Sequence, residues 1–227
     1  MLGDMNRSAS SLYGSGPASP RSTIRRRVQR ASYDPEQVFA ILDAGLVAHV
    51  AFVHAEHPFV IPMMYARIDC ELMLHGSAVS RMLEVGASGA AMSACVTILD
   101  GLVYARSAFH HSMNYRSVMV LGHAREVTDE AEKRAWLDAL IERSAPGRSK
   151  QVRPANTKEL AATRVLALPI EEASAKIRSG GPIDDEEDMV VPVWTGQLPI
   201  SLRAMSHLPT PDDAPKFPQP ERPRGID

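Results

Sequence analysis

Leu74-His75-Gly76-Ser77-Ala78-Val79-Ser80-Arg81-Met82 joins a short apolar run to a segment with helical spacing. Gly76 has no side chain, so other groups can approach its backbone closely. The hydroxyls of Ser77 and Ser80 and the guanidinium of Arg81 fall where a strand opens into a helix, which is a suitable place for a phosphate. By pattern alone a Gly-Ser pair is more often a simple helix cap, so the phosphate interpretation needs support from other motifs.

Short apolar runs separated by turn-forming residues surround this stretch. A first helix is predicted from about Pro35 to Ala44, with Asp34 as its N-cap and Gly45 ending it. A short helix is expected around Ser80–Val85, and a longer helix over Thr128–Glu142, capped by Thr128, is expected to bury Ala135, Trp136, Leu140 and Ile141. Strands are predicted at Leu46–Val53, Phe59–Ala66, Leu72–His75, Ala91–Asp100, Leu102–Ala108, Ser117–Val127, Thr163–Pro169 and Val190–Trp194.

The connections between these strands decide the fold class. Residues 54–58 read as a hairpin turn, and the other connections lack the helical crossovers that parallel pairing requires. The sequence therefore predicts a mainly β protein, a small antiparallel barrel with flanking helices. Pro62 lies within one strand and has no N–H, so that strand is expected at an edge or a bulge.

The two ends differ from the middle in composition. Residues 1–22 are rich in Ser, Gly, Arg and Pro and are predicted to be a disordered lead-in. Residues 204–227 are predicted to be a Pro-rich tail, because repeated prolines prevent a continuous helix or ladder. The domain is expected to span 23–203. The basic run of Arg25, Arg26, Arg27 and Arg30 is expected to be solvated, with nucleic acid or anionic lipid as the alternative.

Charge and cysteine content narrow the partners and the compartment. The 25 Lys and Arg nearly balance the 27 Asp and Glu, so there is no overall basic field for nucleic acid. Only Cys70 and Cys95 are present, outside any CxxC spacing, which favours a reducing cytoplasm. No apolar run approaches the roughly 20 residues needed to span a bilayer. We expect a soluble cytoplasmic protein that binds neither nucleic acid nor membranes.

Several longer motifs resemble one known family. They are Phe59-Val60-Ile61-Pro62, His75-Gly76-Ser77, the run from Leu99 to Val118, Gly180-Gly181-Pro182 and Val191-Pro192-Val193-Trp194. Over roughly residues 25–202 the chain resembles the pyridoxamine 5'-phosphate oxidase-related family, in the flavin-nucleotide-binding branch that includes nitroimidazole-resistance proteins. The resemblance implies an FMN-binding split β-barrel of antiparallel, Greek-key type. It also implies a homodimer with FMN at the subunit interface.

The resemblance also assigns candidate cofactor-binding residues. It favours a phosphate site at Gly76, Ser77, Ser80 and Arg81 over a simple cap. Arg116 and Ser117, after Tyr115, form a second cationic and hydroxyl pair for the phosphate or the ring edge, although a surface arginine is equally compatible with the pattern. The remaining candidates are Ile61, Pro62, Met63, Tyr65, His75, Met82, His111 and Trp194. Plain hydrophobic packing is the alternative for the strand residues and for Trp194.

The histidines do not predict a metal site. His110 and His111 would point to opposite faces if they lay on a strand, although this objection weakens in a loop. The function implied by the resemblance is a flavin-dependent oxidoreductase that acts on a small molecule by two-electron transfer at flavin N5. A flavin carrier or sensor without turnover, and a haem-binding protein of similar fold with a histidine ligand, stay open as alternatives. No general base is predicted.

Overall fold

In the computed structural model, residues 16–208 and 219–223 are described. The strands are β1 (Ala31–Ser32), β2 (Val47–His54), β3 (His57–Met64), β4 (Ala66–Ile68), β5 (Glu71–Ser77), β6 (Ala91–Tyr104), β7 (Ser112–His123), β8 (Arg125–Glu126), β9 (Thr163–Pro169), β10 (Glu172–Arg178) and β11 (Gly196–Pro199). The α-helices are α1 (Pro35–Ala44), α2 (Arg81–Ala87), α3 (Glu130–Ser144) and α4 (Thr157–Ala162). Two compact units divide these residues, and each is described by itself.

The first unit comprises residues 16–48, 93–121 and 171–201. Its strands lie in the order β1, β10, β7 and β6, and β11 also pairs with β6. The pairings of β1 with β10, of β10 with β7 and of β11 with β6 are antiparallel. Helix α1 packs against β10 and buries Val38, Ile41 and Leu42. The predicted cap is confirmed, since the side chain of Asp34 accepts a hydrogen bond from the backbone N–H of Glu36.

The second unit comprises residues 49–92, 122–170, 202–208 and 219–223. Strands β4, β5, β9 and β8 form an antiparallel sheet in that order. Helix α3 packs on β4, and Trp136 from this helix joins a buried cluster with Met73 and Val165. Strands β2 and β3 form the predicted hairpin, whose turn holds Ala55 and Glu56 at φ of 47° and 67°. Two positive φ angles at the centre are typical of the tight turns that suit twisted hairpins.

Mainly antiparallel sheets with few helices confirm the predicted fold class in outline. Strand β3 is at the edge of its sheet, as the position of Pro62 predicted.

Parts of the predicted lead-in and tail, 1–15, 209–218 and 224–227, lie outside the described residues. Residues 19–22 form a turn in which Arg21 pairs with Glu172 at 2.6 Å. None of the helices in the described residues is long and apolar enough to cross a membrane.

Several local predictions were wrong. The strands predicted on either side of Gly101 are one strand, β6, because Gly101 pairs with Pro199 and a side chain there would lie 2.8 Å from the Leu198 carbonyl oxygen. Helix α3 is capped by Asp129, not by Thr128, since the Asp129 carboxylate accepts from Glu132 N at 2.8 Å. On that helix only Trp136 is fully buried. The strand predicted from residue 117 begins at residue 112 and ends at 123.

The strand predicted at Val190–Trp194 is absent from the described residues. A 3-10 turn covers Glu186–Val190, and the strand in this region is β11, further along the chain. Pro192 has no N–H to give to a ladder. The Val191 and Val193 carbonyls accept instead from Arg106 Nη1 at 2.8 and 3.3 Å. Besides β11, the elements that were not predicted include β1, β10, and α4 with its capping box between Asn156 and Glu159.

Candidate functional site

The turn between β5 and α2 carries the predicted phosphate-binding residues. Backbone bonds hold it: Ser80 N donates to Ser77 O at 2.9 Å, and Ala78 N donates to Ala162 O at 2.8 Å. Ser80 occupies the N-cap position but its side chain makes no capping hydrogen bond. Ser77 Oγ accepts only a long contact, 3.4 Å, from Val79 N. The turn is therefore held mainly by backbone bonds, and the hydroxyls of Ser77 and Ser80 keep hydrogen-bonding capacity for another group.

Arg81 begins α2 and is exposed. Its guanidinium carbon lies 5.1 Å from the centroid of the Phe59 ring, within the range of a cation–π contact. Phe59 in turn stacks on Phe52, with 5.4 Å between ring centroids. Within the described part of the chain Arg81 forms no ion pair. The aromatic stack therefore positions a cation whose charge is not neutralised.

His75 and Gly76 lie on β5 just before this turn. Nδ1 of His75 is buried and has no hydrogen-bond partner within the described residues, and burial lowers the pKa of this imidazole. The neutral form is therefore favoured near neutral pH. A side chain at Gly76 would place its Cβ 3.2 Å from Leu83 Cδ1, a tight contact in a packed position. Position 76 therefore suits glycine best.

Strand β3 presents apolar residues to solvent. Ile61 and Pro62 are exposed and Met63 is half-buried. Tyr65, which follows β3, is completely buried, and the Arg143 guanidinium carbon lies 4.8 Å from its ring centroid. Met82 of α2 is also buried. Of the predicted cofactor contacts in this unit, the side chains of Tyr65 and Met82 are packed in the interior, and the others are at least partly accessible.

In the first unit the predicted Arg116 has a carboxylate partner. Arg116 Nε lies 2.9 Å from Asp100 Oδ2, and Nη2 lies 2.7 Å from Oδ1, so the pair is bidentate. This hydrogen bonding raises the pKa of Arg116 above its already high ordinary value. Ser117 Oγ donates to the Lys176 carbonyl oxygen at 3.3 Å, and Tyr115 is half-buried. Arg116 and Ser117 are therefore already engaged with residues of their own unit.

The rings of His111 and Trp194 both lie near the ring of Tyr104. Tyr104 has its ring centroid 6.1 Å from that of His111 and 5.9 Å from that of Trp194, which is 71% exposed. The Ser107 carbonyl can only accept, so His111 Nδ1 carries the proton of their 2.9 Å bond. Nε2 of a neutral His111 then keeps its lone pair.

Arg106 holds the segment before Trp194, and sequence analysis did not identify it. Besides the Val191 and Val193 carbonyls, the residue contacts Asp184, whose Oδ1 accepts from Arg106 N at 2.8 Å. The partners are about eighty positions away in the chain. Because no local pattern relates such distant residues, only the tertiary structure reveals this role.

A cavity of about 530 Å³ in the first unit gathers cations that the sequence separates. We call it the arginine cavity and define it by Arg26, Arg27, Arg30, Lys176 and Arg178. His110 and His111 also line it and lie in a turn before β7, so the strand-based argument against a shared metal does not apply. His110 Nε2 lies 3.0 Å from Asp185 Oδ2. The ligand atoms of His110, Asp185 and Asp188 lie within 4.8 Å of one another.

Comparison with known proteins identifies the family. Residues 34–177 match the family model described as pyridoxamine 5'-phosphate oxidase. The chain belongs to the pyridoxamine 5'-phosphate oxidase family, which confirms the resemblance found in the sequence. No curated protein matches the chain.

Two similar solved structures cover nearly the whole chain. The flavocytochrome Anf3 from Azotobacter vinelandii is 40% identical, with a TM-score of 0.86, covering 91% of this chain and 96% of its own. The FAD and heme binding protein from Mycobacterium smegmatis is 39% identical, with a TM-score of 0.81, covering 87% of this chain and 97% of its own. A protein from Bacteroides thetaiotaomicron described in connection with 5-nitroimidazole antibiotic resistance shares the fold, at 21% identity and a TM-score of 0.50, covering 65% of this chain and 86% of its own.

Proposed function

We propose that this protein binds a flavin nucleotide and a haem and acts as an oxidoreductase toward a small molecule. The observation that carries the proposal is the similarity, at about 40% identity over most of the chain, to one protein named as a flavocytochrome and another that binds FAD and haem. Membership of the family by itself also supports flavin binding, but less specifically than these two structures do. Haem binding was one of the alternatives that the sequence left open.

The strand–helix turn of the second unit is the proposed flavin-phosphate site. Ser77 and Ser80 supply two hydroxyls that do not cap α2, and Arg81 supplies a guanidinium that stacks on Phe59 but has no ion-pair partner within the described residues. The exposed apolar stretch at Ile61 and Pro62 is the proposed surface for the flavin ring. A charged phosphate and a flat apolar ring require this combination of groups.

Two imidazoles have a ring nitrogen suited to a cofactor contact. Nδ1 of His75 is buried without a partner, and His111 is fixed by Ser107 so that Nε2 points elsewhere. A haem iron takes a neutral imidazole nitrogen as its axial ligand. When bound, the flavin supplies two-electron transfer at N5, and the protein residues bind and orient it. We therefore assign binding roles to His75 and His111 and no general base.

The finer architecture is part of the same proposal. We propose that the sheets form a split barrel with Greek-key order and that two chains form a dimer with the flavin at their interface. Val60 and Met64 support an interface on the second unit, because they lie on the same face of β3 and expose 61% and 39% of their surface. Contiguous exposed apolar residues commonly mark association surfaces.

The mass of the bound flavin, and not its absorption spectrum, shows whether it is FMN or FAD. The sequence resemblance implies FMN, whereas the M. smegmatis relative binds FAD. Mass spectrometry of the flavin released by denaturing the purified protein distinguishes the two. Flavin absorption together with a Soret band in the folded protein supports the proposal, and a colourless protein that takes up neither added flavin nor haemin refutes it.

Substitution tests the phosphate site. Arg81→Ala should weaken flavin binding by about tenfold or more, because a charge-assisted hydrogen bond contributes ~1.5–3 kcal/mol. Arg153→Ala is the matched control, since Arg153 is an exposed arginine of the same unit that pairs with Glu159. Unchanged flavin affinity in the Arg81 variant, measured by fluorescence quenching on titration, refutes the assignment.

Turnover separates an enzyme from a carrier. The flavin-loaded protein is mixed anaerobically with a nicotinamide donor, and the flavin absorbance is followed. Bleaching at a rate that sustains turnover supports an oxidoreductase. No bleaching with any donor tried favours the carrier or sensor alternative.

A further inference from the structure

The arginine cavity is outside the residues used for the proposed flavin-phosphate site. Its volume, about 530 Å³, lies within the roughly 300–1,000 Å³ that is common for small-molecule sites. All of its lining residues belong to the first unit. The positive charges of its lining indicate which kind of ligand it would bind.

The cations of the cavity lack carboxylate partners. None of Arg26, Arg27, Arg30, Lys176 and Arg178 forms an ion pair within the described ranges 16–208 and 219–223. The one carboxylate in the lining, Asp185, is 3.0 Å from His110 Nε2. A concave surface with several unpaired positive charges attracts an anion.

Arg178 is the strongest individual sign of a missing anion. It is 6% exposed, so its charge is largely removed from water. Its partners are neutral: the Asn114 side-chain oxygen, Gly180 O at 3.0 Å and Gly181 O at 2.9 Å. Nε has no partner, and burial together with the charge of Arg30 lowers the pKa of Arg178. A buried charge without a counter-charge is costly, so folded proteins seldom keep one without a purpose.

The fold positions these cations. Asn114 holds the Arg178 guanidinium through its oxygen while its Nδ2 donates to Gln197 Oε1 at 2.7 Å. Arg27 adopts φ 58°, a left-handed conformation unusual for arginine, and its carbonyl accepts from Arg30 N at 2.9 Å. The strand that follows, β1, pairs with β10 so that Ala31 faces Lys176. Arg25, Arg26 and Arg27 of the basic run are exposed to solvent, as predicted, and the run lies beside the strand that carries Lys176 and Arg178.

We propose that the arginine cavity binds the dianionic group of a small-molecule ligand, either a diphosphate or a pair of carboxylates. Phe109 and Ile183 also line the cavity and are 81% and 73% exposed, which provides apolar surface for the uncharged part of such a ligand. Two sources of the anion follow from the proposed function: the diphosphate of a flavin dinucleotide and the two propionates of haem. A free diphosphate shares the same chemistry and does not depend on the proposed function.

The experiment uses the full chain and three probes: pyrophosphate with cofactor-free protein, FAD and haemin. Arg178→Gln and the surface variant Arg27→Gln should each weaken at least one probe by about tenfold, the loss expected for one charge-assisted contact. The wild-type affinity for that probe should fall as salt is raised. Arg25→Gln is the control, because Arg25 belongs to the same basic run but does not line the cavity. Arg27→Gln keeps the test valid if Arg178→Gln fails to fold.

The pattern of losses identifies the source. A loss confined to haemin identifies the propionates, a loss confined to FAD identifies the dinucleotide diphosphate, and both support the proposal. Arginine-dependent pyrophosphate binding by a protein that binds neither cofactor supports the cavity and refutes the proposed function. Equal affinities of wild type and both variants for all three probes, or an equal loss in the Arg25 control, overturn the inference.

Discussion

The bidentate pair of Arg116 and Asp100 gives the most direct test of a structural role against a cofactor-binding role. The two contacts measure 2.9 and 2.7 Å, while the side chains of Arg116 and Asp100 are 40% and 31% exposed. Water therefore screens the attraction, and the coupling free energy should lie near the upper end of the range for surface pairs, about 1 kcal/mol. We expect the pair to stabilise the first unit and to leave flavin binding unaffected.

A double-mutant cycle measures this coupling. Arg116→Gln, Asp100→Asn and the double variant are unfolded in urea beside the wild type, and the free energies of unfolding are compared. Each single substitution should destabilise the protein, and the double variant should lose less than the sum of the two. A coupling near zero refutes the expected contribution of the pair.

Flavin retention supplies the second readout of the same variants. If Arg116 contacted the flavin, Arg116→Gln would release it, while Asp100→Asn would free the guanidinium and strengthen retention. We expect equal flavin content in all four proteins after gel filtration. Opposite effects of the two single substitutions contradict the structural role and restore the role predicted from the sequence.

Three further predictions concern the core, a half-buried imidazole and the Trp194 ring. Gly86→Ala should lower the free energy of unfolding by about 1 kcal/mol. The new Cβ would lie 2.4 Å from Leu166 Cδ1, and the cost of overpacking, about 1–3 kcal/mol, exceeds the ~1 kcal/mol that alanine gains over glycine in a helix. Unchanged stability in urea contradicts this prediction. The pKa of His75 is lower in the folded protein than its ordinary value of about 6.5. Near pH 6.5 the unfolded chain therefore binds more protons at His75 than the folded protein does, so stability should fall as the pH drops through that value. His75→Asn should reduce this slope between pH 7.5 and 5.5, roughly the window of that titration, and an unchanged slope contradicts it. Gly196→Ala should displace the ring of Trp194, two of whose carbons would lie 2.7 Å from the new Cβ; an unaltered tryptophan emission spectrum contradicts it.

Local signals explain which parts of the fold the sequence predicted well. Helix α1 lies where its Asp-Pro start and Gly end placed it, and β9 spans the predicted Thr163–Pro169. Caps, breakers and apolar periodicity act within a few residues, so they are visible in one dimension. Helix α3 shows the limit, because two adjacent residues both had side chains suited to capping and only the folded backbone selected Asp129.

The candidate site divides in the same way. The hydroxyls and guanidinium near Ser77 and Arg81 are neighbours in sequence and were found together, but the burial of Tyr65 and the engagement of Arg116 by Asp100 were not visible. Burial depends on what other elements cover a residue. An ion pair depends on which strands lie side by side.

The sequence by itself determined the family of this protein, its antiparallel β character and the residues that open α2, because short motifs and local periodicity encode them. Only the tertiary structure decided that a basic run near the start of the chain meets Lys176 and Arg178 in one cavity, and that Arg106 holds the carbonyls of Val191 and Val193. These groups lie far apart along the chain. Strand pairing and burial bring them together, and these depend on free energies shared across the whole fold.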